Sequence, residues 1–458
     1  MNKSEQLRDS QQYFINDLII VSKGESIDIK EIFVEIDLFD SLYMPVMSGK
    51  LLISDATGIS SKLLFDGSEV LLIDISKVEG SEIGQFKKAF RIYKQSDRIP
   101  ASERVENYIL NFVSDELLFS DQQRVNQSYR MTYMKMVERI MLDYLKIPPN
   151  NLNGLYEESA GVRDVIIPNL RPIEAIQWIA KKAVNMDNSP SYVFYQNLLG
   201  YNFITLSKLL SEDIILDINF ESKNKDEGAN ALEEMSTARS FEVVSQTDGI
   251  KKARAGVNAG TFIGFDPVTR MISRKALSYL DHFENMKHSN PTPNFSAQVN
   301  KDGLLNTEMY DSRIVVDTFT TTRQLSEYVK SHDPESIAYG SRSEDYAFQR
   351  KAIFANLDSK KLKVVMPGNF QLTTGFNVNI DAPFFGKKTD ADDPSDPSLS
   401  GKYLIIGSRQ IIKGSNEGTH ETVIEVASTS SEQEFITQST QDQTAILETY
   451  WWKNKNNF

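Results

Sequence analysis

The chain has 458 residues and a mass of 51.9 kDa, and its net charge is -13 because 63 Asp and Glu outnumber 50 Lys and Arg. This length predicts about three or four domains, and a hydrophobic fraction of 40% excludes a mainly disordered chain. The acidic balance argues against broad binding to a nucleic-acid backbone, which requires a basic face.

Cysteine and histidine content limits the chemistry that the chain can perform. There is no cysteine, and the four histidines are His282, His288, His332 and His420, with no pair at metal-ligand spacing. We therefore predict no disulfide, no structural metal and no cofactor. Chelator treatment is expected to leave the melting temperature unchanged, which a thermal melt with and without EDTA would check.

The first 121 residues are predicted to form a β domain. Apolar residues alternate along Ile32–Leu38, and the turn pair Asp66-Gly67 precedes the apolar run Val70–Ile75. Short strands separated by regular turns are typical of a small barrel or sandwich. No apolar run approaches the ~20 residues that cross a bilayer, so we also predict no membrane anchor.

Residues 122–236 are predicted to form a mixed α+β domain. Apolar residues recur at helical spacing over Met134–Leu145, and Pro148 and Pro149 stop that helix. A second helix is predicted to begin at Pro172, followed by a hairpin around Asn197–Gly200. The polar stretch 217–240 is interpreted as a linker or exposed loop.

The remaining residues predict a second β domain over 237–276 and 340–428. It is interrupted by an irregular insertion, 277–339, and followed by a polar tail, 429–458. Its one predicted helix is Glu344–Leu357. The predicted strands are Phe241–Val244, Lys252–Val257, Thr261–Phe265, Lys363–Ile380 and Lys402–Ala427.

No motif for phosphate binding or metal binding is complete. Gly256, Gly260 and Gly264 lack the lysine of a phosphate loop and are interpreted as turn and packing glycines within strands. The acidic cluster Asp390–Asp396 contains Pro394 and lacks the terminal Glu of a calcium loop, which favours a solvated hairpin loop over a cation site.

No set of residues in the sequence forms a recognisable catalytic motif either. There is no GxSxG elbow, and the adjacent acids Glu157 and Glu158 point opposite ways on an extended chain, so they form no carboxylate dyad. His332 and His420 are interpreted as surface or turn residues. The sequence therefore favours a structural or binding role over an enzyme.

Three features of the sequence are candidate docking sites. The basic clusters Lys251–Arg254 and Lys360–Lys363 are interpreted as charged positions on exposed strand faces, with a patch facing an acidic partner or DNA as the alternative. Tyr450, Trp451 and Trp452 end a polar tail, where exposed aromatic residues often anchor a partner. They could equally fold back on their own chain.

Three segments resemble the baseplate hub proteins of contractile-tailed bacteriophages, which are similar to the hub part of type VI secretion spikes. The first is Ser114–Leu145, with an Arg-Val-x-x-Ser-Tyr motif before a helix. The second is Phe241–Arg270, which ends in Phe-Asp-Pro-x-Thr-Arg. The third is Val364–Pro383, with Pro-Gly-Asn at a turn, followed by Tyr403–Ala427.

The resemblance implies a mainly β chain with α+β insertions and two small tube-like β-barrels. It implies a homotrimer in the virion baseplate, assembled in the host cytoplasm, that joins the six-fold tail tube to the three-fold central spike. The partners that it implies are the spike or spike-lysozyme protein, the tail tube or tube-initiator protein, the baseplate wedge proteins and the tape-measure protein. The alternatives are a type VI-like spike hub and a cell-wall glycosidase.

Overall fold

The computed structural model describes most of the chain. The described residues are 10–63, 65–78, 84–147, 154–220, 234–257, 259–265, 267, 270, 272–277, 279, 283, 286–293, 313–318, 338–339, 343–383, 395–396, 398–414 and 418–431. In this part of the chain, no helix is long and apolar enough to cross a membrane.

The first part of the chain is almost entirely β, as the alternating pattern predicts. Its elements are β1 Phe14–Ser22, β2 Glu25–Asp28, β3 Phe33–Ser41, β4 Ser48–Asp55, α1 Ile59–Leu63, β5 Val70–Ser76, β6 Phe86–Ser102 and β7 Val105–Val113.

The middle of the chain mixes helices with two small sheets. Its elements are α2 Glu116–Asp121, β8 Ser128–Met131, α3 Tyr133–Asp143, β9 Val162–Ile166, α4 Pro172–Lys182, β10 Tyr192–Gln196, β11 Tyr201–Thr205 and α5 Leu206–Ser211. Both predicted helices are confirmed, and so is the hairpin, which is formed by β10 and β11. Helices α3 and α4 bury their apolar stripes in one hydrophobic cluster with β10 and β11.

The last part returns to β structure with short helices between the strands. The elements up to residue 339 are β12 Ile214–Asn219, β13 Ser240–Ser245, α6 Gly249–Ala255, β14 Gly260–Phe265, β15 Ile272–Leu277, β16 Thr292–Pro293, β17 Arg313–Thr318 and β18 Ala338–Tyr339. After them come α7 Ser343–Tyr346, α8 Gln349–Leu357, β19 Lys361–Pro367, β20 Asn377–Asp381, β21 Gly401–Lys413, β22 Thr419–Ala427 and β23 Ser430–Ser431.

One 13-stranded sheet contains strands from both the first and the last part of the chain. Its order is β13-β19-β22-β21-β3-β4-β7-β6-β5-β1-β2, with β20 beside β21 and β12 paired in parallel with β20. The two halves meet where β21 and β3 pair antiparallel, so that Gly407 lies opposite Ser41 and Lys413 opposite Glu35. The mainly β architecture with α+β material is therefore confirmed. No strand pairing among the described residues closes either half into a barrel.

Four local predictions require correction. The predicted strand Lys252–Val257 is mostly the helix α6, which begins after Asp248 and ends at Gly256 in the left-handed conformation, with φ of 84°. The predicted helix Glu344–Leu357 is two shorter helices. Part of the predicted linker 217–240 belongs to β12. His420 is buried rather than on the surface.

Candidate functional site

The three aromatic residues predicted to dock a partner, Tyr450, Trp451 and Trp452, lie outside the described residues, and so do His332 and the acidic-loop residues Asp390, Asp392 and Asp393. Among the residues that are described, no group of three or more His, Asp or Glu side chains could hold a metal ion. A connected set of buried polar groups lies instead where the two halves of the large sheet meet, and we treat this junction as the candidate site.

An ion pair ties the two central strands of the junction together. The guanidinium of Arg409, on β21, donates to both carboxylate oxygens of Asp37, on β3, over 2.9 and 2.8 Å. The hydrogen bond that Arg409 donates to Asp37 raises the pKa of Arg409, against an opposing effect of burial. A two-pronged contact of this kind fixes the register of the two strands as well as their distance.

A buried carboxylate connects three parts of the chain. Asp40, at the end of β3, accepts hydrogen bonds from the hydroxyls of Thr373 and Thr374 and from the Thr374 amide. The same turn is held from the β10–β11 hairpin, since Asn197 donates to the Thr374 carbonyl and the Leu198 amide donates to the Thr373 hydroxyl. Burial raises the pKa of Asp40, and hydrogen bonds from neighbouring hydroxyls oppose that rise.

The N-terminal segment 10–13 crosses the junction as a strap. The Lys77 ammonium donates to the carbonyls of Ser10 and Gln12, and the His420 amide donates to the Gln11 carbonyl. The strap therefore links β22, which carries His420, to the segment that follows β5.

His420 lies in the interior of the second half. Its Nε2 donates to the side-chain oxygen of Gln410 over 2.9 Å, and its ring packs against Phe370 with centroids 4.5 Å apart. The Gly368 backbone approaches the ring so closely that an added Cβ would lie 2.0 Å from His420 Cγ. Burial lowers the pKa of His420 well below its ordinary value, and the positive charge of Lys77 adds to this effect.

The two basic clusters do not form a continuous basic surface, because several of their lysines are ion-paired or buried. Asp358 forms ion pairs with Lys251 over 2.8 Å and with Lys361 over 2.7 Å. Lys252 and Lys360 are buried. The interpretation as exposed strand positions is therefore wrong for the first cluster, which is helical, and for Lys360.

Replacing Asp358 with asparagine is expected to lower the free energy of unfolding by about 1 kcal/mol. The hydroxyl of Tyr43 also donates to this carboxylate, over 2.6 Å, so the change weakens three contacts at once. Burial alone would raise the pKa of Asp358, but hydrogen bonds from Lys251, Lys361 and Tyr43 bring it below its usual value. Urea unfolding would measure the loss, and an effect under 0.3 kcal/mol, about the noise of such a comparison, would contradict it.

Comparison with known proteins assigns the fold. No family model and no curated protein sequence matches the chain. The crystal structure of the tail protein from Neisseria meningitidis MC58 matches 91% of this chain and 96% of its own, with a TM-score of 0.50 and 10% sequence identity.

Two further solved structures match at lower scores. The 43 kDa tail protein of prophage MuSo2 from Shewanella oneidensis covers 90% of this chain and 97% of its own, with a TM-score of 0.46 and 9% identity. The E. coli c3393 protein, a component of the type VI secretion system, covers 93% and 78%, with a TM-score of 0.41 and 9% identity.

Of these three structures, the Neisseria tail protein alone reaches a TM-score of 0.5, so the assignment of the fold rests on it. The chain has the fold of a tail protein over nine-tenths of its length, which confirms the structural resemblance that its sequence predicts.

Proposed function

We propose that this chain is a structural component of a contractile phage tail, the baseplate hub that joins the tail tube to the central spike. The observation that carries the proposal is the fold, which is shared with a tail protein over 91% of this chain and 96% of the other. A likeness of this extent includes both halves of the large sheet and the material between them.

The hub must reconcile a six-fold tube with a three-fold spike. The chain supplies two runs of strands, β1–β7 and β19–β22, which join edge to edge at the β21–β3 pair. Three copies related by a three-fold axis would then present six β units in a ring. We propose that the units 1–121 and 237–276 with 340–428 are the two tube-type barrels of this ring.

The same proposal assigns location and partners. The chain would reside in the virion baseplate after assembly in the host cytoplasm, beside the tail tube or tube-initiator protein, the spike or spike-lysozyme protein, the wedge proteins and the tape-measure protein. In this role it would be a scaffold and not an enzyme, because its polar clusters at the junction are committed to holding strands together.

Cryo-electron microscopy of the purified full-length chain tests the proposal. The expected result is a closed trimer whose six β units surround a central bore with pseudo-six-fold symmetry. A monomer, or a ring with one β unit per chain, would overturn the hub assignment. Substrate-dependent release of fragments from peptidoglycan would overturn the non-enzymatic part separately.

A further inference from the structure

The small sheet formed by β14, β15 and β17 carries an apolar outer face. Strand β14 is central, and its Ile263 lies opposite Val316 in β17, while its Phe265 lies opposite Ile272 in β15. These side chains share one face because residues two apart on a strand point the same way. Ile272 and Val316 are each 71% exposed, and Ile314, two residues before Val316, is 58% exposed.

The inner face of the same sheet is firmly anchored. Phe262 and Leu277 pack against Phe348 in a buried cluster. The Arg313 guanidinium donates to the carbonyls of Ala255 and Phe348. An added Cβ at Gly260 would lie 2.2 Å from the Phe348 ring. The outer face is therefore presented by a sheet that is fixed in place.

A contiguous patch of this kind marks a docking surface. Isolated exposed hydrophobic residues are common, but here several large side chains adjoin one another on one fixed sheet. The matching segment should therefore be apolar and aromatic.

The C-terminal tail has this composition. It carries Ile446, Leu447, Tyr450, Trp451 and Trp452 within seven residues, and Glu448 stands between them. The residues between Ser431 and Ile446 are mostly polar, which is typical of a connecting segment.

The tail leaves the fold within reach of the outer face. The Thr429 carbonyl accepts a hydrogen bond from Asn356 over 2.9 Å, near the end of α8, and Phe348 immediately precedes that helix. The distance from Thr429 to the outer face is about 12 Å along the helix, at 1.5 Å per residue, plus about 10 Å to cross the sheet. The 15 residues from Ser431 to Ile446 can span about 50 Å when extended, which exceeds that distance.

We propose that residues 446–452 of this chain occupy the outer face of the β15–β14–β17 sheet. The aromatic side chains cover the apolar patch. The tail of the same chain supplies this segment, because its connecting residues are long enough to reach the face.

Because the native chain has no cysteine, site-directed cross-linking gives a clean test. The double variant Val316→Cys with Trp451→Cys in the full-length protein is treated with a short bis-maleimide. We expect efficient cross-linking at the mass of one chain, whereas a product at twice that mass would contradict docking within one chain. The matched control pairs Trp451→Cys with Ile166→Cys, because Ile166 is 70% exposed on β9 and lies outside this face.

Tryptophan fluorescence gives an independent readout. In a Trp178→Phe background, the remaining tryptophans are Trp451 and Trp452. Adding Val316→Lys should shift their emission to the red and increase quenching by acrylamide, whereas Ile166→Lys should change neither.

Two further outcomes overturn the proposal. One is cross-linking at position 316 no greater than at position 166, together with emission insensitive to Val316→Lys. The other is cross-linking between two copies of the single variant Val316→Cys, which would assign the face to a second sheet. Both outcomes are independent of trimer formation and of the proposed hub role.

Discussion

Replacing Asp40 with alanine is expected to lower the free energy of unfolding by about 3 kcal/mol. The substitution removes the acceptor of the Thr373 and Thr374 hydroxyls, which are fully buried from solvent. Because Asp40 belongs to the first half of the sheet and the threonines to the second, the loss falls on the junction between them. Urea unfolding followed by circular dichroism would measure it.

Hydrogen exchange would show which part of the protein the Asp40 substitution destabilises. The amides of Thr374 and Leu198 donate within the junction, so their protection should fall first. A matched control is Asp381→Ala on the nearby strand β20, where the side chain is exposed and the change should stay within about 0.5 kcal/mol. Equal effects of the two substitutions would show that Asp40 does not hold the junction.

Much of the fold can be predicted from the sequence because strand alternation and helix spacing are local signals. The pattern over Ile32–Leu38 predicts β3, and the spacing from Met134 predicts α3. The junction is not local: Asp40 and Thr373 are 333 residues apart, and no spacing rule links an acid at the end of one strand to a hydroxyl so far away. For the same reason, alternation predicts strands but not whether they close into a barrel.

Two errors have different origins. The prediction of a strand at Lys252–Val257 followed the alternation of charged and apolar residues, although Asp248 and Gly256 are typical helix-capping residues that could have identified α6. The burial of His420 is signalled by strand alternation, because His420 is in register with Thr422, Ile424 and Val426 on the buried face of β22, but its particular contacts are not signalled. It sits in β22 beside a glycine loop that only the folded chain brings to it, and Gln410 comes from the neighbouring strand.

Acidification from pH 6.5 to about 4 is expected to destabilise the protein through two buried histidines. Burial lowers the pKa of His288 to about 4, against a hydrogen bond to the Phe283 carbonyl that raises it, and burial lowers the pKa of His420 well below its usual value. The unfolded chain takes up protons near pH 6.5 while the folded chain does not, so stability is present above that pH and is lost as the pH falls. For His288 the loss is at most about 3 kcal/mol.

The pH window separates this effect from that of the carboxylates whose pKa is lowered. Asp55, Asp74 and Asp358 have pKa values below the ordinary value, because hydrogen bonds outweigh the opposing effect of burial. Their contribution is therefore lost only below about pH 4. Urea unfolding at pH 7.5, 6, 5 and 4.5 would follow the free energy of unfolding, and the double variant His288→Gln with His420→Gln should flatten the curve between pH 6.5 and 4.5. A slope in that interval that the double substitution leaves unchanged would show that other groups cause the acid sensitivity.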